Sequence, residues 1–230
     1  LPLVIYRIEG GYGVHPRWSD VIRRGRMRTY VLRTLEYEEY SKITDEELEK
    51  LIVDALYVNE GAVTGIFRHK KRAEYLERCM YYCPNCGLTE FHSEGDTVKC
   101  LRCDIKVRYL PTKELVGVDK PFPYRFVTEW YKAQCDFVNK LDPESYRNEP
   151  LYRDRANLSQ VILYKRKERI LTDAPLLLYG DRIQVGDDYL FTFDEITAIT
   201  VVGRNKLNIY YDNKVYQIRG DKRFNALKYV

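Results

Sequence analysis

The sequence contains no apolar run near the roughly 20 residues that a membrane-spanning helix needs. Its first apolar stretch, residues 1–6, is short and has no basic flank, so we do not expect a signal peptide. Internal repeats and low-complexity tracts are also lacking. With 45% apolar and 31% charged residues among 230, the composition excludes a disordered protein and allows one large or two to three small domains.

An initiating methionine and a strong net charge are missing too. Because the first residue is Leu1, we expect the chain to start inside a longer polypeptide. The net charge is +4 with histidine neutral. That value is too mild to predict nucleic acid as a specific partner, although it suits an anionic surface.

Six cysteines are present, and four of them form two Cys-x-x-Cys pairs. The pairs are Cys83 with Cys86 and Cys100 with Cys103, separated by 13 residues. This is the metal-binding pattern of a reducing compartment. Four thiolates complete a tetrahedron and leave no position for water or substrate, so the pattern predicts a structural zinc ion. Gly87 permits the tight turn after the first pair.

Other interpretations of these cysteines are two disulfides or four free thiols. His92 lies between the pairs and is an alternative ligand, but four cysteines make it unnecessary. A thioredoxin-like role requires a single Cys-x-x-Cys at the start of a helix, which two symmetrical pairs fit poorly. We expect the remaining cysteines, Cys79 and Cys135, to be small buried apolar residues.

Residues 1–60 read as the end of an α/β unit. Strands are predicted at 2–8 and 26–35, followed by a helix that ends near residues 59–61. Thr44 and Glu47 form a Thr-x-x-Glu capping box at the start of this helix. Residues 61–72 are predicted to be a linker or loop whose basic run at 68–72 is a solvated face.

Three further regions complete a predicted α+β, multi-module chain. They are a zinc β-ribbon at 73–112, a helical linker at 121–150 with an aromatic-rich helix at 123–141, and a small antiparallel β-barrel or sandwich at 155–230. Seven short strands are predicted in the last region, at 160–164, 176–179, 182–185, 189–193, 196–202, 207–211 and 215–218. Asp221 is predicted to cap a C-terminal helix that begins at Lys222.

His15 and Asp20 form a His-x-x-x-x-Asp pattern, in which a carboxylate orients a histidine general base. The alternative is a histidine in a polar loop and an aspartate that caps a short helical turn. A single pair without oxyanion or phosphate elements favours the second interpretation.

Residues 1–60 resemble the last part of the glycerol-phosphate and lysophosphatidic acid acyltransferase domain. The residues that carry this resemblance are LPLVIYRIEG at 1–10, RGRMRTYV at 24–31, EEY at 38–40 and TDEEL at 44–48. The resemblance implies a parent protein that transfers a fatty acyl group from acyl-CoA or acyl-carrier protein to a lysophospholipid. It also implies a cytoplasmic location, peripheral at the inner face of the membrane.

In that family the catalytic His-x-x-x-x-Asp and the phosphate-binding Glu-Gly-Thr-Arg motif precede the strand that residues 1–10 resemble. His15 and Asp20 follow it instead. The resemblance therefore assigns no catalytic and no cofactor-binding residue to this chain, which we expect to be inactive alone.

Residues 155–230 resemble a PH-like or GRAM-like domain, a seven-strand meander with a C-terminal helix that is cut short here. Such domains bind lipid headgroups or proteins. No distinctive phosphoinositide motif is present. Lys165, Arg166, Lys167 and Arg169 form either a basic loop that faces anionic lipid or a solvated hairpin tip.

A different class of function is a non-enzymatic zinc-ribbon adaptor that binds nucleic acid or protein. Arg102, Lys106, Arg108 and Tyr109 would combine phosphate contacts with stacking. The modest net charge and the weak clustering of basic residues along the sequence argue against nucleic acid.

Overall fold

The computed structural model describes residues 1–61, 64–163 and 166–230, which are mostly antiparallel β-structure. None of the helices within these ranges combines the length and the apolar character that crossing a bilayer requires.

The N-terminal region contains two strands and three helices. They are β1 (Leu3–Glu9), α1 (Gly11–Val14), β2 (Arg28–Leu35), α2 (Tyr37–Tyr40) and α3 (Asp45–Leu56). The capping box is confirmed: the Thr44 hydroxyl accepts from the Glu47 N–H, and the Glu47 carboxylate accepts from the Thr44 N–H. Both predicted strands and the helix are therefore present; the strand ends differ by at most two residues, and the helix ends three to five residues earlier than expected.

β1 and β2 pair antiparallel and form a two-stranded sheet. α3 packs against β1. This small sheet does not by itself support the expected end of an α/β acyltransferase domain, because the described strands of this region include no parallel pair.

The segment after α3 has little regular structure, as predicted, but it is packed rather than extended as a linker. Phe67 is only 1% exposed. A Cβ atom at Gly13 or Gly25 would lie 2.3 Å from its ring, so the glycines make room for it. The adjacent Arg68 pairs with Arg24 through backbone hydrogen bonds. Phe67 therefore anchors the predicted loop in the protein interior, while most of the described residues around it stay exposed or half-buried; residues 62 and 63 lie outside the described ranges.

The ribbon is built from six short strands. They are β3 (Tyr82–Cys83), β4 (Gly87–Leu88), β5 (Phe91–Glu94), β6 (Thr97–Cys100), β7 (Lys106–Tyr109) and β8 (Leu115–Gly117). β3 and β4 form a hairpin, and β5 to β8 form an antiparallel sheet in chain order. A 3-10 turn, Leu76–Arg78, precedes them.

The predicted aromatic-rich helix is α4 (Val127–Val138), which is shorter than expected. The preceding residues pair with the ribbon instead, because Leu115 N–H donates to the Arg125 carbonyl and Glu114 bridges to Phe126. Trp130 fixes the helix on the ribbon: its indole N–H donates to the Tyr82 carbonyl at 2.7 Å. A 3-10 turn, Pro143–Tyr146, follows the helix.

The C-terminal region contains the seven predicted strands. They are β9 (Tyr152–Leu163), β10 (Arg166–Leu178), β11 (Arg182–Val185), β12 (Tyr189–Thr192), β13 (Ile196–Val201), β14 (Lys206–Tyr211) and β15 (Lys214–Arg219). The first two are much longer than predicted. Residues 164 and 165, at the end of the first predicted strand and in the predicted basic loop, lie outside the described ranges.

These strands form one sheet in the order β12-β11-β10-β9-β15-β14-β13, which curls into a nearly closed barrel. The Phe191 ring on one edge strand reaches Tyr211 and Tyr216 on the far side, with centroids 5.3 and 5.0 Å apart. Alternating side chains such as Ile183 and Leu207 point into an apolar core of aliphatic and aromatic side chains.

The prediction of a C-terminal helix that begins at Lys222 is wrong. After Asp221 the chain stays irregular until a 3-10 turn, Ala226–Tyr229. Phe224, Ala226 and Tyr229 are buried in the barrel core, at a spacing that does not share one face of a regular α-helix.

Candidate metal centre

The four cysteines of the predicted site come from two turns of the ribbon. Cys83 ends β3 and Cys86 lies in the turn before β4, whereas Cys100 ends β6 and Cys103 lies in the turn before β7. Gly87 has φ +74°, the left-handed conformation that the first turn was expected to require. Pairing of β5 with β6 brings Cys100 back towards the first turn.

The four Sγ atoms all lie within 4.8 Å of one another. The Cys83–Cys103 and Cys86–Cys100 Sγ separations are 3.5 and 3.6 Å. A tetrahedral zinc site with Zn–S bonds of about 2.3 Å has S–S edges of about 3.8 Å, whereas a disulfide bond is about 2.05 Å long. All six cysteines are free, so the cluster has the geometry to hold a metal ion and not that of two disulfides.

Hydrogen bonds organise the two turns around the sulfurs. The Arg102 N–H lies 3.4 Å from the Cys100 Sγ, and the Arg102 guanidinium donates to the Cys86 carbonyl at 3.0 Å. The second bond ties one turn to the other. Cys83 and Cys100 are fully buried, while Cys86 and Cys103 are partly exposed at the ribbon surface.

The thiols differ in their acidity. Desolvation raises the pKa of Cys83 and of Cys86. Desolvation is also the largest single influence on Cys103, but hydrogen bonds from the Ile105 N–H, the Asn85 side chain and neighbouring cysteines outweigh it. They lower the pKa of Cys103 to about 7.

The other residues considered as ligands or thiols lie apart from this cluster. His92 is exposed on β5 and does not belong to the group of converging ligand atoms. Cys79 is buried, its thiol lies 3.2 Å from the Leu76 carbonyl, and desolvation raises its pKa, so it is confirmed as a small core residue. Cys135 is only half-buried on α4, which corrects the expectation of full burial.

His15 and Asp20 are brought near each other, but Arg204 lies between them. Its guanidinium donates to the Asp20 carboxylate at 3.0 Å and lies 2.9 Å from the His15 Nε2. Asp20 also accepts two hydrogen bonds from Arg78, at 2.7 and 3.2 Å, which chiefly lower the pKa of its carboxyl group. Asp20 is therefore an ion-pair partner, neither a helix cap nor the orienting partner of a histidine base.

Sequence reasoning missed the residues that join the ribbon to the rest of the molecule. Arg78, 4% exposed, also donates to the Trp18 and Lys222 carbonyls. Next to it, buried Glu77 pairs with Arg223. The partners of Arg78 and Glu77 lie 58 and 146 residues away in the chain, so no local pattern could have revealed these contacts.

Two of the four residues that the alternative, nucleic-acid-binding interpretation would use are engaged within the protein. Tyr109 is 1% exposed, and its hydroxyl accepts from Arg23, so its ring is not available for stacking on a base. Arg108 lies 3.8 Å from the Asp96 carboxylate. In the predicted basic loop, the Lys167 ammonium donates to the Gln217 side chain, while Arg166 and Arg169 are exposed.

Comparison of the sequence with protein-family models gives no match, and comparison with curated proteins gives none either.

Proposed function

We propose that Cys83, Cys86, Cys100 and Cys103 hold one structural zinc ion, and that the chain is a non-catalytic accessory module organised by this ion. The convergence of the four Sγ atoms to within 4.8 Å of one another carries the proposal. Tetrahedral sulfur sites suit zinc or iron, and four protein ligands leave no open position for a substrate. The ion would supply folding free energy to a ribbon whose strands are too short to form a large core.

The barrel is the part of this module that we assign to binding. Its seven antiparallel strands, their order and their near closure support a PH-like or GRAM-like domain. The two edge strands, β12 and β13, follow each other in the chain without pairing. The proposal includes a peripheral location at the cytoplasmic face of the membrane, which the exposed basic side chains of Arg166 and Arg169 on the barrel support.

The metal proposal is tested on the purified, reduced chain by elemental analysis and by cobalt substitution. We expect one zinc per chain and, for cobalt, the thiolate charge-transfer and d–d absorption of a tetrahedral sulfur site. Cys100→Ser should lose the metal, whereas the matched control Cys135→Ser should retain it. Substoichiometric metal in the reduced chain, or iron as the resident metal, would refute a structural zinc site.

A second candidate is that the module belongs to an acyltransferase-family protein, as the resemblance of residues 1–60 implies. One observation favours it: Val4, Tyr6 and Ile8, on the same face of β1, are each more than half exposed. Apolar sheet faces of this kind are usually covered by another layer, such as a neighbouring catalytic domain.

This second candidate is tested in the full-length gene product. Residues encoded upstream should contain a His-x-x-x-x-Asp motif followed by a Glu-Gly-Thr-Arg-like motif. The zinc-loaded full-length protein should transfer an acyl group from a thioester to lysophosphatidate. A well-folded protein without that activity would exclude the acyltransferase assignment and would leave the metal proposal untouched.

A further inference from the structure

A cavity of about 540 Å³ opens between the N-terminal region, the ribbon and the barrel, and its walls are strongly cationic. Six basic side chains and one carboxylate line it, together with His15. They are Arg17, Arg78, Arg204, Lys206, Arg219 and Lys222, with Asp20 as the carboxylate. With His15 neutral the lining has a net charge of +5, whereas the whole chain has +4. This cavity is therefore a local concentration of positive charge.

Most of this charge is not neutralised within the protein. Asp20 engages Arg78 and Arg204. Over the described part of the chain, the other four basic side chains of the lining form no ion pair within 4.0 Å. Unpaired cations in a concave site attract anions by focusing the electrostatic potential.

A second cavity, of about 680 Å³, adjoins the first. The two share Arg17, Arg78, Gly203 and Arg204 in their walls. The rest of the second cavity is lined chiefly by aromatic and aliphatic side chains, among them Tyr12, Trp18, Val127, Tyr131, Val201 and Leu227. Its volume falls in the range of small-molecule sites, about 300 to 1,000 Å³.

We propose that the two cavities together bind one anionic amphiphile, with a phosphate-type head among the basic side chains and an apolar chain in the second cavity. This inference goes beyond the proposed function, because it assigns a ligand to the junction between the regions. The pair of cavities favours an amphiphile over a nucleic acid, because a fatty chain can fill the apolar cavity while a single anionic head occupies the cationic one, whereas the charge of a polynucleotide extends along its whole length.

Trp18 makes the proposal testable by fluorescence. The chain has two tryptophans. Trp18 lines the apolar cavity, whereas Trp130 does not. We would titrate the zinc-loaded chain with lysophosphatidate that carries a brominated acyl chain, below its micellar concentration. We expect saturable quenching that is lost in Trp18→Phe, and binding that weakens with added salt.

The charge contribution is tested with two matched double variants. Lys206→Ala/Lys222→Ala removes two charges from the cationic cavity. Lys50→Ala/Lys140→Ala removes two exposed lysines from elsewhere on the surface. We expect the first pair to weaken binding about tenfold or more, and the second to leave it unchanged. Circular dichroism and zinc content establish that each variant is folded and loaded, which separates failure of this proposal from failure of the metal proposal.

Further ligands distinguish the sources of the anion. Inorganic phosphate and glycerol 3-phosphate should compete only weakly, because they lack the apolar chain. Three results would each overturn the proposal. The first is an affinity for inorganic phosphate or glycerol 3-phosphate equal to that for the lysophosphatidate. The others are binding only to phosphatidate vesicles without quenching of Trp18, and equal competition by a single-stranded oligonucleotide.

Discussion

The ribbon and the barrel differ in how they bury the apolar side chains of their β-sheets. The barrel has strands of up to 13 residues that curl onto an apolar core of aliphatic and aromatic side chains. The ribbon has strands of two to four residues, and its core combines aromatic rings with the cysteines. Long paired strands can enclose their own apolar side chains, whereas so small a ribbon needs an additional source of stability. We therefore expect the ribbon to depend on metal and the barrel to be independent of it.

The largest effect should follow removal of the metal from the reduced chain by a chelator. Structural zinc contributes about 10 to 16 kcal/mol in small zinc-binding peptides, so the ribbon should unfold without it. Hydrogen exchange should show loss of protection in β5, β6 and β7 and retained protection in β14 and β15. Re-addition of zinc to the reduced protein is the control and should restore the ribbon. Equal loss of protection in both regions would contradict the expectation that only the ribbon depends on the metal.

The reverse experiment weakens the barrel. Ile218 is fully buried in its core, so Ile218→Ala should lower the free energy of unfolding by about 2 to 5 kcal/mol. Ile162→Ala is the matched control, because Ile162 is 46% exposed, and it should cost only about 0.5 kcal/mol. Denaturant titration measures both. Loss of zinc from Ile218→Ala under native conditions would contradict the independence of the two cores.

The junction between the regions should have an intermediate effect. Asp20→Asn leaves the buried Arg78 guanidinium without its carboxylate partner and should cost about 1 to 3 kcal/mol at neutral pH, because Asp20 itself is partly exposed. Since the folded protein holds the pKa of Asp20 below its ordinary value, its contribution is complete above about pH 4. That contribution is lost as the pH falls through the folded pKa.

The difference in unfolding free energy between the wild type and Asp20→Asn should therefore shrink below about pH 4. Asp188→Asn, at an exposed position in the barrel, is the control and should leave the free energy of unfolding nearly unchanged at every pH. A difference that stays constant down to pH 2 would show that the Asp20 charge does not stabilise the junction.

The smallest effect concerns Arg102, which ties the two cysteine turns together through the Cys86 carbonyl. Arg102→Ala should reduce zinc affinity by about tenfold, because supporting hydrogen bonds hold metal ligands in position. Lys106→Ala removes the same charge from an exposed position nearby and should retain the wild-type affinity. Competition with a chromophoric chelator measures both. Equal loss in the two variants would assign the effect to charge rather than to the hydrogen bond.

Short-range patterns were sufficient for much of the fold. The Thr44–Glu47 capping box, the two cysteine turns and the hairpin turn at Asp212 and Asn213 each depend on residues within a few positions. Turn residues at regular spacing likewise predicted seven strands in the last region. Patterns of this kind could not predict how far β9 and β10 extend, because their length is decided by pairing with each other and with β15.

By itself, the sequence determined which four cysteines could hold a metal ion, the positions of most elements and a net charge too small to indicate a partner. Only the tertiary structure decided where that charge lies. It brings Arg17 beside Arg219 and Lys222, some 200 positions apart in the chain, and it places Arg204 between His15 and Asp20. The physical reason is that electrostatic interactions depend on distance in space, which the packing of distant sheets sets and local sequence patterns do not contain.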